Sequence, residues 1–290
     1  MKMTKKILLA AVAVMAAFTF AGCDLLSGNK SLSDAFQKKV DEENILKYSD
    51  NSAVSKWNIQ GENESTTDFV RALQFLTTKH SDMAGLARFD TKDAGVIGVL
   101  FNASREKDEL DEENNYIYSF GVAAVGKSSG KPYVYVSYFA NVKETDLTKD
   151  NFGVTDKDKK AVDPTVKTPY EIVYLDITNI EATDKLANMK EETAEGDKNY
   201  AVVIDVDEAE DGAYTVNFYG KDVIGKNDTL KVTDATKPLV SAVTMSAESL
   251  GKTKAKQAQC GCYAMINKPG ALNGSLSILD LTHEATPVEE

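Results

Sequence analysis

The sequence predicts an all-β protein folded as an antiparallel sandwich, and three observations predict it. Short runs rich in Val, Ile, Tyr and Phe recur from about Trp57 onward, the residue types that suit a pleated, half-buried surface. Turn residues separate these runs, as at Gly126–Gly130 and Glu210–Gly212, in the manner of hairpin connections. Helical periodicity is sparse, and many short strands with few helices favour antiparallel sheets packed face to face.

Taken in chain order, the first 22 residues stand apart. Lys2, Lys5 and Lys6 form a charged start, Ile7–Phe20 is apolar apart from Thr19, and the small residues Ala21 and Gly22 precede Cys23. This is the layout of a secretory signal, too short for a comfortable bilayer span. Ending on a cysteine, it reads as a bacterial lipoprotein signal over 1–22, with Cys23 the acylated first residue of the mature chain. Phe20 stands where the usual lipobox carries Leu; the plainer alternative is an ordinary cleaved signal with Cys23 incidental. Two or more acyl chains anchor a protein stably, so acylated Cys23 would hold the domain on a lipid bilayer without a transmembrane helix. The expected location is the cell envelope, at the outer membrane ahead of the inner. Residues 23–56 form the tether, with small polar side chains at Ser27, Gly28, Asn29, Lys30, Ser31 and Ser33. Ser31 and Asp34 resemble a capping box, and Phe36, Val40 and Leu46 are sparse among charges, which predicts a short exposed helix from Asp34 to about Tyr48.

The sandwich is expected over 57–284, with a tail at 285–290. Phe69–Leu76 fits a strand or a helical turn. Gly95–Phe101 is a continuous apolar run and reads as a buried strand. Tyr116–Val125 and Tyr133–Ala140 form a hairpin across a Gly-rich turn. Asp146–Pro169 is rich in Lys and Asp and reads as a long loop, followed by a strand at Glu171–Ile177. Tyr200–Asp205 and Ala213–Tyr219 make the clearest hairpin, turned at Glu210–Gly212. Leu239–Met245, Cys260–Ile266 and Ser275–Asp280 complete the set of strands.

Charge excludes one class of partner. The chain carries a net charge of −12, and removal of Lys2, Lys5 and Lys6 with the signal takes it to −15. Such a protein repels nucleic acid phosphates and anionic lipid headgroups. Solubility alone is a sufficient reason for the acidity.

Besides Cys23, only Cys260 and Cys262 are present. They are two residues apart, so in a strand both point the same way, near the upper limit of separation for a disulfide. Gly261 between them could bend the backbone. Two buried thiols and a strained Cys260–Cys262 disulfide both remain open; a metal or redox pair lacks further ligands nearby.

The strand order then brings a resemblance. Ala94–Asn102, Tyr116–Val122 and Pro132–Tyr138 look like the middle of a laminin-G or concanavalin A-like jelly roll. Ile204–Asp207 with Tyr214–Phe218 resembles its later hairpin. Gly261–Ala264, Pro269, Gly270, Leu272–Ser275 and Asp280 are similar to its closing strands, with Leu276 or Ile278 where an aromatic often stands. The whole is most similar to a group of spirochaetal (Treponema-like) lipoproteins. The resemblance implies a jelly-roll sandwich that binds glycans or proteins, or cleaves polysaccharides, and fold alone does not choose among these.

The residues themselves supply few catalytic constellations. Glu109–Asn114 approaches the Glu-x-Asp-x-x-Glu pattern of sandwich glucanases, but Asn114 takes the final acidic position. Nucleophilic triads need a histidine, and only His80 and His283 exist. Asp205, Asp207 and Asp211, with Glu208 and Glu210, cluster about one hairpin, and hard cations take several oxygen ligands at loop ends. The run Asp207–Gly212 departs from the EF-hand, since Ala209 replaces a ligand and Phe218 falls at the closing position. A structural calcium and a solvated acidic turn therefore compete. Tyr116, Tyr118, Tyr133 and Tyr135 alternate on neighbouring strands and could form an exposed stripe for a glycan or for a host or envelope protein; filling the sandwich core is the bland alternative. Trp57 is expected as a core or strand-edge anchor. The leading expectation is a non-enzymatic, lipid-anchored binding module, with a polysaccharide-active enzyme or a structural envelope protein as the alternatives.

Overall fold

A computed structural model describes residues 46–50, 56–64, 70–80, 82–107, 116–128, 131–143, 171–192, 196, 198–233, 235–250, 258–266 and 269–281. Cys23, the signal, the tether as far as Ile45, Asp146–Pro169, Glu109–Asn114, His283 and the tail lie outside these residues.

The strands are β1 (Leu46–Asp50), β2 (Lys56–Asn63), β3 (Val70–Lys79), β4 (Met83–Asp90), β5 (Gly95–Lys107), β6 (Tyr116–Ser128), β7 (Lys131–Lys143) and β8 (Glu171–Asn179). A short helix α1 (Thr183–Met189) leads into β9 (Lys190–Glu192), β10 (Lys198–Glu208), β11 (Tyr214–Tyr219) and β12 (Val243–Met245). One helical turn, α2 (Ala247–Leu250), precedes β13 (Gln259–Ile266) and β14 (Gly270–Asp280). Sheet A runs β1-β2-β14-β4-β10-β11-β12, with β9 also on β10; sheet B runs β3-β13-β5-β6-β7-β8. Every strand pair is antiparallel. The expected all-β sandwich is what the chain forms. From β2 to β5 successive strands alternate between the sheets, and from β5 to β8 they meander within sheet B.

The inter-sheet core follows from alternation. Val202, Ile204 and Val206 of β10, Val216 and Phe218 of β11, and Met83, Ala87 and Phe89 of β4 face Ile97, Val99 and Phe101 of β5 and Val134, Val136 and Tyr138 of β7. Each large apolar side chain so buried contributes roughly 1.5–3 kcal/mol. Trp57 joins this core as expected. At its centre the Phe101 ring lies 5.4 Å from that of Tyr214, and Gly121 makes room for it: a Cβ there would sit 2.2 Å from the Phe101 ring. Two polar side chains at this depth satisfy each other, since Asn102 Nδ2 donates to Tyr138 Oη at 3.0 Å and Tyr138 Oη donates to the Asn102 carbonyl at 3.1 Å. Asn102 takes a positive φ of 45° at a bulge between β5 and β6, which bends the strand and turns its side chain inward.

Several expectations sharpen or change. Phe69–Leu76 resolves as a strand from Val70, namely β3. Leu46–Tyr48, expected to end a helix, begins β1 instead, because Leu46–Asp50 pairs with Trp57–Gly61. Leu239–Met245 is a strand only over Val243–Met245; Pro238 has no N–H for a ladder, and Leu239 meets β11 through one hydrogen bond to the Phe218 carbonyl at 2.7 Å.

Candidate functional site

The four tyrosines do not form an exposed platform. Tyr118, Tyr133 and Tyr135 are 2%, 2% and 3% exposed, and Tyr116 is half-buried. They lie on the face of sheet B turned away from sheet A, within a second apolar cluster that includes Leu73, Phe120, Val122, Phe139 and Tyr263. Tyr135 packs edge-on to Tyr263 with ring centroids 6.3 Å apart, and burial raises its pKa well above the ordinary value. The structure brings these residues together as expected, but as packing on a sheet buried on both faces.

The outer face of sheet A differs, and strand register arranges it in rows. Asp205 of β10 stands opposite Asn217 of β11 and Ala84 of β4, and Ala84 stands opposite Asp280 of β14. Alternation points all of these outward, because their strand neighbours Ile204, Val206, Val216 and Met83 point into the core. Asp207 lies two residues further along β10, opposite Thr215. Asp82, just ahead of β4, accepts a hydrogen bond from the Glu208 backbone N–H at 2.7 Å.

These carboxylates crowd one another. Partial burial, reinforced by Asp207, Asp280 and Asp82, pushes Asp205 up to about 7. Asp207 is raised too, by burial and by Asp82. Among the described residues, the charged groups that shift these two are acids. A carboxyl held near neutrality can keep or give up a proton at ordinary pH. Asp211, grouped with these residues in the sequence, is separate: it sits in the exposed turn and accepts the Ala213 N–H at 2.9 Å. Among the described residues no three His, Cys, Asp or Glu side chains are placed to hold a metal ion.

The next row along this face is apolar and covered. Tyr219, Val203 and Leu86 stand side by side, joined by Ala201 and Val223 in a third apolar cluster. Beyond them Arg88 of β4 lies opposite Ala201. Its guanidinium donates twice to Asp228, at 2.8 Å each, and to Glu191 of β9 at 2.8 Å. The Asp228 hydrogen bonds raise the Arg88 pKa, and the same bonds lower that of Asp228.

Cys260 and Cys262 are free thiols, buried together in the inter-sheet core, and burial pushes Cys260 up to about 12. Of the two readings left open, the structure takes the buried pair. Gly261 between them faces outward, where a Cβ would meet the Gln74 carbonyl at 2.1 Å. His80 is buried beside the end of β3. Gly126-Lys127-Ser128-Ser129-Gly130 matches the Gly-x-Ser-x-Gly pattern, yet Gly126, Lys127 and Ser128 end β6 paired with Tyr133, Pro132 and Lys131 of β7; a nucleophile elbow needs a strand-to-helix turn.

No family model matches the chain, and no curated protein matches it significantly. The laminin-G and spirochaetal resemblance therefore rests on the strand and turn residues quoted above. Among the described residues no helix is long and apolar enough to cross a membrane.

Proposed function

We propose that this chain is a lipid-anchored lipoprotein of a bacterial envelope whose concanavalin A-like sandwich is a non-enzymatic binding module, presenting the outer face of sheet A to a protein or glycan partner. The anchoring reading is supported by the charged start, the apolar run and the small residues before Cys23. The observation that carries the binding reading is the Asn217–Asp205–Ala84–Asp280 row, a sheet face with carboxylates whose charged neighbours are acids. Such a face favours a partner that brings positive charge or hydrogen-bond donors. With Tyr118, Tyr133 and Tyr135 buried, a glycan would meet this face rather than a tyrosine stripe.

Two measurements test the reading. Metabolic labelling with a palmitate analogue should mark the wild type and not Cys23→Ser, which should also leave the membrane fraction; equal labelling of both would remove the anchor. Substituting Asp207 and Asp280 by Lys should abolish partner binding with the fold intact by circular dichroism, and unchanged binding would remove the face.

One observation favours a second reading. Asp205, held at about 7, stands across two strand spacings from Asp280, roughly 10 Å between backbones. Glycoside hydrolysis uses one protonated and one ionised carboxyl facing across a cleft. Release of reducing sugar from envelope polysaccharides, lost in Asp205→Asn, would favour the enzyme over the binding module.

A further inference from the structure

We infer that the stretch from Gly220 to Val232 is a latched strap: a self-bonded loop that lies over the apolar row of sheet A and swings off it as a unit, with Arg88 as its latch. The inference goes beyond the anchoring and binding reading and does not rest on it.

The strap is closed upon itself. Gly225 N–H donates to the Thr229 carbonyl at 2.6 Å, Lys231 N–H to the Val223 carbonyl at 2.8 Å, and Ile224 bridges Leu230. Among the described residues the backbone hydrogen bonds of Lys221–Val232 find their partners within Gly220–Val232. Its root is fixed: Gly220 packs against Asn188 of α1, whose Oδ1 accepts the Asp222 N–H at 3.2 Å.

Besides the Lys221 Nζ hydrogen bond to the Lys190 carbonyl of β9 at 2.6 Å, two kinds of attachment hold the strap down. One is apolar: Val223, Ile224, Leu230 and Val232 pack over Leu86, Ala201, Val203 and Tyr219. The other is the two-pronged Arg88–Asp228 contact, with Arg88 and Asp228 side chains 21% and 43% exposed. A paired fork of this geometry is specific in direction, yet it stands where solvent can compete for it. At the tip, Asn227 and Asp228 take consecutive left-handed conformations at φ 60° and 56°, which Asn and Asp enter more readily than other residues with a Cβ, and the Asp228 carboxylate there accepts from Arg88. Opening would uncover Leu86, Val203 and Tyr219 directly beside the Asp205 row, joining an apolar strip to an acidic one on a single face.

The test is thiol labelling of the full mature chain. A Val203→Cys variant places a reactive group beneath the strap, while the native Cys260 and Cys262, buried between the sheets, report global unfolding in the same molecule. The new thiol should react with a maleimide at least about tenfold faster than the native pair, because it needs only local opening. Adding Arg88→Gln or Asp228→Asn should accelerate it by about tenfold more, with the native pair unchanged; Glu191→Gln, which leaves the Asp228 contact in place, should not. Labelling of the new thiol in step with Cys260 and Cys262 would overturn the strap, and indifference to both latch variants would overturn Arg88 as its latch.

Discussion

The two sheets solve different problems with similar amino acids. In sheet A burial alternates over Trp57–Gln60 of β2 and Tyr214–Phe218 of β11. The central strands β4 and β10 are buried on both faces over Met83–Ala87 and Tyr200–Ile204, where the apolar row is covered, and open to solvent beyond it at Asp205 and Asp207. In sheet B the alternation is between two kinds of apolar residue. Across Pro132–Ala140 of β7 every residue is buried, with Val134, Val136 and Tyr138 on one face and Tyr133, Tyr135 and Phe139 on the other. An antiparallel sheet with one wet face keeps polar groups to display, whereas one buried on both faces has none to spare. The described part of sheet B is therefore packed on both faces, and the exposed carboxylates of the acidic row stand on sheet A.

The strongest way to break this contrast is to truncate the outer face of sheet B. Tyr135→Ala should destabilise the fold by about 3–5 kcal/mol, as deletion of a buried aromatic does. Urea denaturation reads it directly, and a cost below about 1 kcal/mol would mean that this face is wet. Gly121→Ala, on the inner face of β6, should cost about 1–3 kcal/mol through overpacking against Phe101, visible as a lowered Tm.

The acidic row should respond to pH in a definite direction. Asp205 has a folded pKa of about 7, above its ordinary value of 3.8. The folded state therefore holds a proton that the unfolded state has lost, and this penalty on folding is relieved as pH falls from about 8 toward 4. Stability should rise over that window in the wild type, by up to about 4 kcal/mol. Asp205→Asn should flatten that part of the profile and raise stability at pH 8; an unaltered profile would show that Asp205 is already solvated. Smallest of all, Thr215→Ala on the open face of β11 should change stability by less than about 1 kcal/mol, a tenth or so of a typical domain's total.

Much of this fold was legible because local pattern and tertiary role agree. The β10–β11 hairpin follows from alternating apolar residues about Glu210–Gly212, and β5 from an unbroken apolar run. Met83–Asp90 carries little strand signal of its own, since Ala84, Gly85 and Ala87 have weak strand preference and β4 is set by its neighbours β10 and β14. The tyrosine alternation puts Tyr118, Tyr133 and Tyr135 on one face, but alternation between Tyr and Val cannot say which face meets water. The acidic row was half visible: Asp205 and Asp207 lie on one strand, whereas Asp82 and Asp280 join them only through register between strands distant in sequence. The strap gave no periodic signal, being two short 3-10 turns between glycines and a proline.

The most direct test of the contrast between the sheets is surface labelling of the native mature protein, mapped by mass spectrometry. Carbodiimide coupling should mark Asp207 and Asp280 on sheet A, both exposed, while nitration should spare Tyr118, Tyr133 and Tyr135 on sheet B. Rapid nitration of those three tyrosines with Asp207 and Asp280 unmodified would contradict the account and return the binding face to sheet B.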